Sequence, residues 1–144
     1  MAKAIFILGL CGSGKTNLAN EIKKQNQAVI YDEGLLSDKF ESIYKSILEN
    51  LRHDVDCVIV EINLCTKEAR EFLLLKLNQD LPNTEKIWKC FENNIEKANK
   101  NVIKRAKKGE KTDIEGHKRI NEEISPTYSY PKDAEILSIE TDWE

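Results

Sequence analysis

The chain alternates short, wholly apolar runs with longer stretches whose apolar positions recur every three or four residues. Ala4-Ile5-Phe6-Ile7-Leu8 has no polar interruption, the pattern of a parallel strand covered on both faces. The helix expected next, from about Lys15 to Gln25, carries Leu18, Ala19 and Ile22 on one stripe. Ala28-Val29-Ile30-Tyr31 reads as a second strand. Phe40, Ile43, Tyr44, Ile47, Leu48 and Leu51 then fall at helical spacing, the clearest amphipathic pattern in the chain.

The alternation continues. Cys57-Val58-Ile59-Val60-Glu61-Ile62 predicts a third strand, and Thr66 a cap for a helix carrying Ala69, Phe72, Leu73 and Leu77 until Pro82 ends it. Ile87 to Phe91 predicts a fourth strand. Ile95, Ala98, Val102, Ile103 and Ala106 line a basic helix that stops near Gly109. The capping box Thr112-Asp113-Ile114-Glu115 opens a short helix through Ile120 to Ile124. Ser125 to Pro131 is an aromatic, proline-bearing loop before a fifth strand, Ile136 to Ile139. Repeated βα units with helix-length crossovers predict an α/β fold with a doubly wound parallel sheet. With no repeat, low-complexity tract or linker, residues 1–144 are expected to form one domain.

Composition fits that picture. In 144 residues, 40% are hydrophobic, enough for one core, and 33% are charged. No apolar run approaches the roughly 20 residues of a membrane helix. Ala4 to Leu8 is too short for a secretory signal and runs into glycines without a cleavage site. A soluble, cytoplasmic domain with no membrane partner is expected. The net charge of −3 does not by itself indicate a nucleic-acid or membrane binder, but its distribution is uneven. Lys97 to Lys111 holds seven basic residues and one acid, Glu110; Asp113 to Glu144 holds nine acids against Lys118, Arg119 and Lys132. Such asymmetry marks either an anion-facing surface or one solvated helix face. Cys11, Cys57, Cys65 and Cys90 lack the paired short spacing of a zinc site, and His53 and His117 lack partners for a metal or a triad. Zinc enzymes and cysteine hydrolases are excluded.

The chemistry is concentrated after the first strand. Gly9-Leu10-Cys11-Gly12-Ser13-Gly14-Lys15-Thr16 matches the Walker A pattern in full, between an apolar strand and a helix. Glycines let the backbone turn tightly and aim successive N–H groups at phosphate oxygens, and the helix start adds its positive dipole end. Lys15 is expected to reach the β and γ phosphates of a nucleotide, and the Thr16 hydroxyl to ligate magnesium. Cys11 occupies an unconstrained position of the motif.

A phosphate loop does not say what happens to the phosphate. Asn99-Lys100-Asn101-Val102 lacks the aspartate of a guanine-reading motif, and Asp32-Glu33-Gly34 has the wrong spacing and place for a GTPase switch. A mechanical ATPase would carry a longer core. A small phosphotransferase remains. Asp32 and Glu33 follow the second strand, where a carboxylate can accept the proton of an attacking hydroxyl or orient it and the metal. Asp32, nearer the strand end, is the first candidate and Glu33 the reserve; both also fit a polar loop or cap. Glu61, the only acid on the third strand, is expected to hold magnesium with Thr16, or else simply to end the strand, with Asn63 close by.

Transferring phosphoryl charge must also be stabilised and shielded. Lys104 to Lys111 joins two predicted helices, so a lid over about 105–116 is expected. Arg105 is its natural finger, because a guanidinium grips phosphate oxygens bidentately; Lys107, Lys108 and Arg119 are alternatives.

The Walker A loop after strand one, the acid after strand two and the Arg/Lys lid after strand four resemble small kinase-type P-loop proteins, and most of all the kinase domain of phage polynucleotide kinase and its small-molecule kinase relatives. Trp88-Lys89-Cys90-Phe91-Glu92-Asn93-Asn94 and Tyr128-Ser129-Tyr130-Pro131 look similar to compact phage-encoded members. The resemblance implies a P-loop NTPase fold with sheet order 2-3-1-4-5, and ATP and Mg²⁺ as co-substrates. It also implies Gly12 to Thr16 as phosphate site, Asp32 as base and Arg105 as lid arginine. One departure is plain: polynucleotide kinases place an acceptor-gripping arginine three residues after the base, where this chain has Leu35, with Lys39 the nearest cation. The acceptor is then a nucleic-acid 5′ end, a nucleotide or another small molecule. Tyr128 and Tyr130 either stack on a base or pack a loop. A plain NTPase and a nucleotide-binding module without transfer stay open.

Overall fold

In the computed structural model, which describes residues 1–110 and 113–143, all five expected strands lie side by side and parallel. They are β1 (Lys3–Leu8), β2 (Val29–Asp32), β3 (Cys57–Val60), β4 (Glu85–Phe91) and β5 (Glu135–Leu137), in the order β2-β3-β1-β4-β5. The most apolar run takes the centre: every residue from Ala4 to Leu8 is at most 2% exposed. Burying an aliphatic or aromatic side chain of this size stabilises by about 1.5–3 kcal/mol, so a strand without polar positions gains most where both neighbours cover it. Ile5 stands opposite Val58 on one side, and Phe6 opposite Trp88 on the other, their rings stacked at 4.3 Å.

Among the described residues, five α-helices connect the strands: α1 (Lys15–Asn26), α2 (Phe40–Arg52), α3 (Lys67–Asp80), α4 (Ile95–Lys107) and α5 (Ile114–Ile124). The predicted stripe of α2 is the one it buries, with Tyr44, Ile47, Leu48 and Leu51 inward. On α3 the buried stripe runs through Arg70, Leu73 and Leu77, while Phe72 is 47% exposed against Phe40. The chain leaves β1 for β2 and β3 on one side and returns to β4 and β5 on the other. The segment after β1 therefore lies at the crevice outside the strand ends, where open α/β sheets bind ligands.

Several boundaries differ from the sequence reading. The third strand ends at Val60 rather than Ile62, because the Glu61 side chain accepts the Asn63 N–H and caps a 3₁₀ turn over Ile62–Cys65. The second strand is shifted by one residue and includes Asp32, paired with Val60. The fifth stops at Leu137: the Ile139 N–H donates to the Glu92 carboxylate at 2.7 Å instead of continuing the ladder. Thr66 precedes α3 without capping it, since its hydroxyl donates back to the Asn63 carbonyl at 3.0 Å. The cap of α5 is Asp113, whose carboxylate accepts the Gly116 N–H. Thr112 of the expected capping box, and Lys111 beside it in the expected lid, lie outside the described residues. No described helix is long and apolar enough to cross a membrane.

Candidate functional site

Gly9 to Thr16 joins β1 to α1, and two of its glycines are required by backbone geometry. Gly14, at φ 106°, is the N-cap of α1, and Gly12 has φ 91°, both in the left-handed region that a Cβ disfavours. Gly12 is also pressed against α4, where an added Cβ would stand 2.2 Å from the Ala98 carbonyl oxygen. No side chain caps α1, so the amides of its first turn are left for an external acceptor, the basis of an anion site. The Lys15 ammonium donates to the carbonyls of Gly9 at 2.7 Å and Leu10 at 3.1 Å, and the buried Ser13 hydroxyl also donates to Leu10.

The two acids after β2 take different places. Asp32 accepts from the Thr16 hydroxyl at 3.4 Å and is exposed. Glu33 follows at φ 60°, a turn that brings its carboxylate back towards the loop. One oxygen lies 3.8 Å from the Lys15 ammonium, and the other accepts the Ile62 N–H at 3.1 Å. Glu33 is exposed as well, at 42% of its side chain, and partial desolvation of the carboxyl against the loop pushes its pKa up to about 7; Lys15 and the Ile62 amide pull it down, and neighbouring Glu61 adds to the rise.

Glu61 stands where the sequence placed it, at the end of β3, and is 2% exposed. Its contacts are amides. One oxygen accepts the Leu36 N–H at 2.9 Å; the other accepts both the backbone N–H and the side-chain amide of Asn63, at 3.1 and 3.2 Å. Glu61 therefore ties the β2–α2 loop to the end of β3. Among the described residues no cluster of three or more His, Cys, Asp or Glu could hold a metal by itself. Thr16 and Asp32 instead offer two hard oxygens side by side, which suits magnesium, an ion that takes one or two protein oxygens and completes its shell with phosphates and water.

On the other side of the loop lies a cavity of about 690 Å³, walled by Gly12 to Gly14, Thr16 and Asn17, by Asn101 and Arg105 of α4, and by Leu137, Glu140 and Trp143 of the C-terminal segment. Arg105 thus shares the wall of this cavity with the phosphate loop. Lys107, Lys108 and Arg119 are exposed and do not line this cavity.

Three residues here escaped the sequence reading. Asn121, fully buried on α5, holds Cys11 through both backbone groups: its side-chain oxygen accepts the Cys11 N–H at 2.7 Å and its amide donates to the Cys11 carbonyl at 3.0 Å. Asn101 donates to the carbonyls of Gly12 at 2.9 Å and Glu140 at 2.8 Å, and accepts from the Trp143 indole at 2.9 Å. The signal for both asparagines was a polar residue on an otherwise apolar helix stripe, as in Ala98-Asn101-Val102. Trp143 had no such signal.

Tyr128 and Tyr130 pack the loop. They meet edge to face at 5.2 Å, the Tyr128 hydroxyl donates to the Phe91 carbonyl, and the Tyr130 hydroxyl accepts the Asn93 N–H. Leu35 is 1% exposed, so the position at which polynucleotide kinases carry an arginine faces the core. Burial pushes the thiols of Cys57 and Cys65 up to about 12 and that of Cys90 up to about 11, which leaves all three as packing groups.

No protein-family model matches the chain, and no curated protein matches it by sequence. Solved structures do. A gluconokinase from Sinorhizobium meliloti 1021 superposes with a TM-score of 0.59 at 13% identity, over 95% of this chain and 82% of that one. A protein designated APE1195 superposes at 0.52 with 18% identity, over 99% and 87%. A deoxyadenosine kinase from M. mycoides with bound dATP gives 0.44 at 14% identity, over 98% and 92%. At these identities the likeness is one of fold: with its strand order, the chain has the P-loop NTPase α/β fold. The narrower resemblance to phage polynucleotide kinase is not confirmed by them.

Proposed function

We propose that this chain is a P-loop phosphotransferase that moves the γ-phosphoryl group of ATP, with Mg²⁺, to a hydroxyl or phosphate of a nucleic-acid 5′ end, a nucleotide or a related small molecule. The observation that carries the reading is the pair of acids at the mouth of the loop, Asp32 on the Thr16 hydroxyl and Glu33 beside the Lys15 ammonium. Plain phosphate binding needs neither acid; activation of an acceptor hydroxyl needs one.

Lys15 and the uncapped amides of α1 would hold the β and γ phosphates, with the nucleoside on the Asn101–Arg105–Trp143 side. Thr16 and Asp32 would hold magnesium, which when bound neutralises charge developing on the phosphate oxygens. Arg105 would place its guanidinium against the transferring group. Asp32, exposed next to Thr16, would orient the acceptor hydroxyl or take its proton; Glu33, with a pKa near neutrality, is the second group able to take it. Glu61 would act on the metal at most through water, its nearest duty being to fix the loop that carries Glu33.

The test is γ-labelled ATP with Mg²⁺ and a panel of 5′-hydroxyl DNA and RNA oligonucleotides, nucleosides, nucleoside monophosphates and a no-acceptor control, with Lys15→Ala in parallel. Label passing to one acceptor, and lost in the variant, is the expected result. Label released only as free phosphate would replace the transferase with an NTPase; binding without turnover on any acceptor would leave a nucleotide-binding module.

A further inference from the structure

A second concavity lies outside the phosphate site, against the solvent-facing side of α4. It measures about 830 Å³ and is lined by Lys100, Lys104, Lys107 and Lys108, by Ile103, and by the C-terminal Thr141 to Trp143. Among the described residues, none of the four lysines forms an ion pair with a carboxylate. Among the described residues, Asp142 is the one acid on the lining. In a chain of net charge −3, this concentration of positive charge is a local departure.

The groove has an ordered aromatic wall. The Trp143 indole donates to Asn101 at 2.9 Å, which fixes the ring; the Lys104 and Lys108 ammonium groups lie 4.6 and 5.4 Å from its centre, and Lys104 also donates to the Thr141 carbonyl at 2.9 Å. Lys100, Lys104 and Lys108 are four residues apart and so stand in line along the helix, each about 6 Å above the last. A row of cations beside a fixed aromatic face is the combination that binds single-stranded nucleic acid, with phosphates on the lysines and a base against the ring.

We propose that the α4 face and the C-terminal segment form a binding groove for single-stranded nucleic acid, which adjoins the phosphate-site cavity at Trp143 and contains no residue of the phosphate loop. Two other polyanion carriers fit less well. A membrane surface calls for protruding apolar side chains, whereas Ile103 and Trp143 line a recess. An acidic peptide would satisfy the lysines but has no flat group for the indole. Neither Asp32 nor Lys15 contributes to the groove; Trp143 is the one lining residue it shares with the cavity beside the phosphate loop, so the binding test is run without nucleotide.

The experiment is fluorescence anisotropy of a labelled short oligothymidylate titrated with the full chain, without nucleotide, over a series of salt concentrations. About three phosphate contacts predict a log–log salt slope near −2. The double variant Lys100→Glu/Lys107→Glu, at two exposed positions, is expected to weaken binding at least tenfold. Trp143→Ala should weaken it about fivefold or more, with Trp143→Phe largely restoring it. Lys15→Ala should bind as the unaltered chain does. Absence of binding, a flat salt response, an unaffected double variant, or loss of binding in Lys15→Ala would each overturn the proposal. Inorganic polyphosphate serves as competitor: if it displaces the oligonucleotide equally well and Trp143→Ala binds normally, the site is for phosphate chains and not nucleic acid.

Discussion

The side-chain amide of Asn121 forms a two-point hydrogen bond with the backbone of Cys11, accepting its N–H at 2.7 Å and donating to its carbonyl at 3.0 Å. A helix 110 residues further along the chain thereby sets the backbone of the phosphate loop. The same amide also donates to Asn99 at 2.9 Å, so its donor group serves two acceptors.

Removing that side chain leaves the part-buried Cys11 amide without its acceptor. Asn121→Ala is expected to cost about 1–3 kcal/mol in stability, the range for a buried polar group left without its partner. Nucleotide affinity should fall with it. Asn121→Asp should be the worse variant, because a carboxylate would face the Cys11 carbonyl where an amide now donates. Denaturant titration and nucleotide binding, measured on the same preparations, check both statements.

At Gly12 the expected effect is steric. An alanine methyl would collide with the Ala98 carbonyl and would also have to adopt φ 91°. Gly12→Ala should therefore displace the loop from α4 and abolish nucleotide binding, while circular dichroism continues to report the α/β fold. Gly34→Ala makes a useful control: it shares a positive φ of 92° but has no neighbour within 4 Å, so only the backbone strain applies.

The rate of phosphoryl transfer should depend on Glu33 through pH. A group that takes a proton must first be ionised, and with a carboxyl pKa of about 7 the rate should fall about tenfold per unit below that value and level off above it. Glu33→Gln should remove this limb of the profile. If Asp32 takes the proton instead, the limb survives in Glu33→Gln and the activity is lost in Asp32→Asn. The stability consequence has its own sign. Because the folded carboxyl holds its proton above the ordinary 4.5, stability should decline as pH rises from about 4.5 to 7, and Glu33→Gln should flatten that decline.

For Glu61 the prediction separates a scaffold from a metal holder. Glu61→Ala leaves the Leu36 N–H without its acceptor, and about 1–3 kcal/mol of stability should be lost with no magnesium present. Thermal unfolding in chelator measures this directly. Unchanged stability combined with a raised magnesium requirement would instead make Glu61 a ligand.

Much of the architecture was legible because the apolar runs leave little choice. Ala4 to Leu8 has no polar residue to present to water, so it must be central, and the glycines after it specify a tight loop between strand and helix. The acids after β2 and Arg105 were legible by position, since each follows directly from the end or face of a strongly patterned element. What escaped depends on contacts between distant segments. Asn101 and Asn121 read as ordinary polar interruptions until the fold brings α4 and α5 onto the loop, and Trp143 lies in a segment with no periodicity. Glu61 shows the opposite limit: its place was readable, but its amide partners come from the 3₁₀ turn that follows it and from Leu36 in the β2–α2 loop.

The bond between Cys11 and Asn121 spans 110 residues of sequence. During synthesis the phosphate loop leaves the ribosome 110 residues ahead of the group that sets its backbone. The nascent chain can pair β1 with β3 well before then, but its ligand-binding loop stays unfinished until α5 has been made. A chain interrupted after β4 would carry the whole Walker A sequence without the contact that shapes it. The loop is therefore completed late and non-locally, the kind of closure that slows folding, and nucleotide binding would serve as a reporter that translation has passed Asn121.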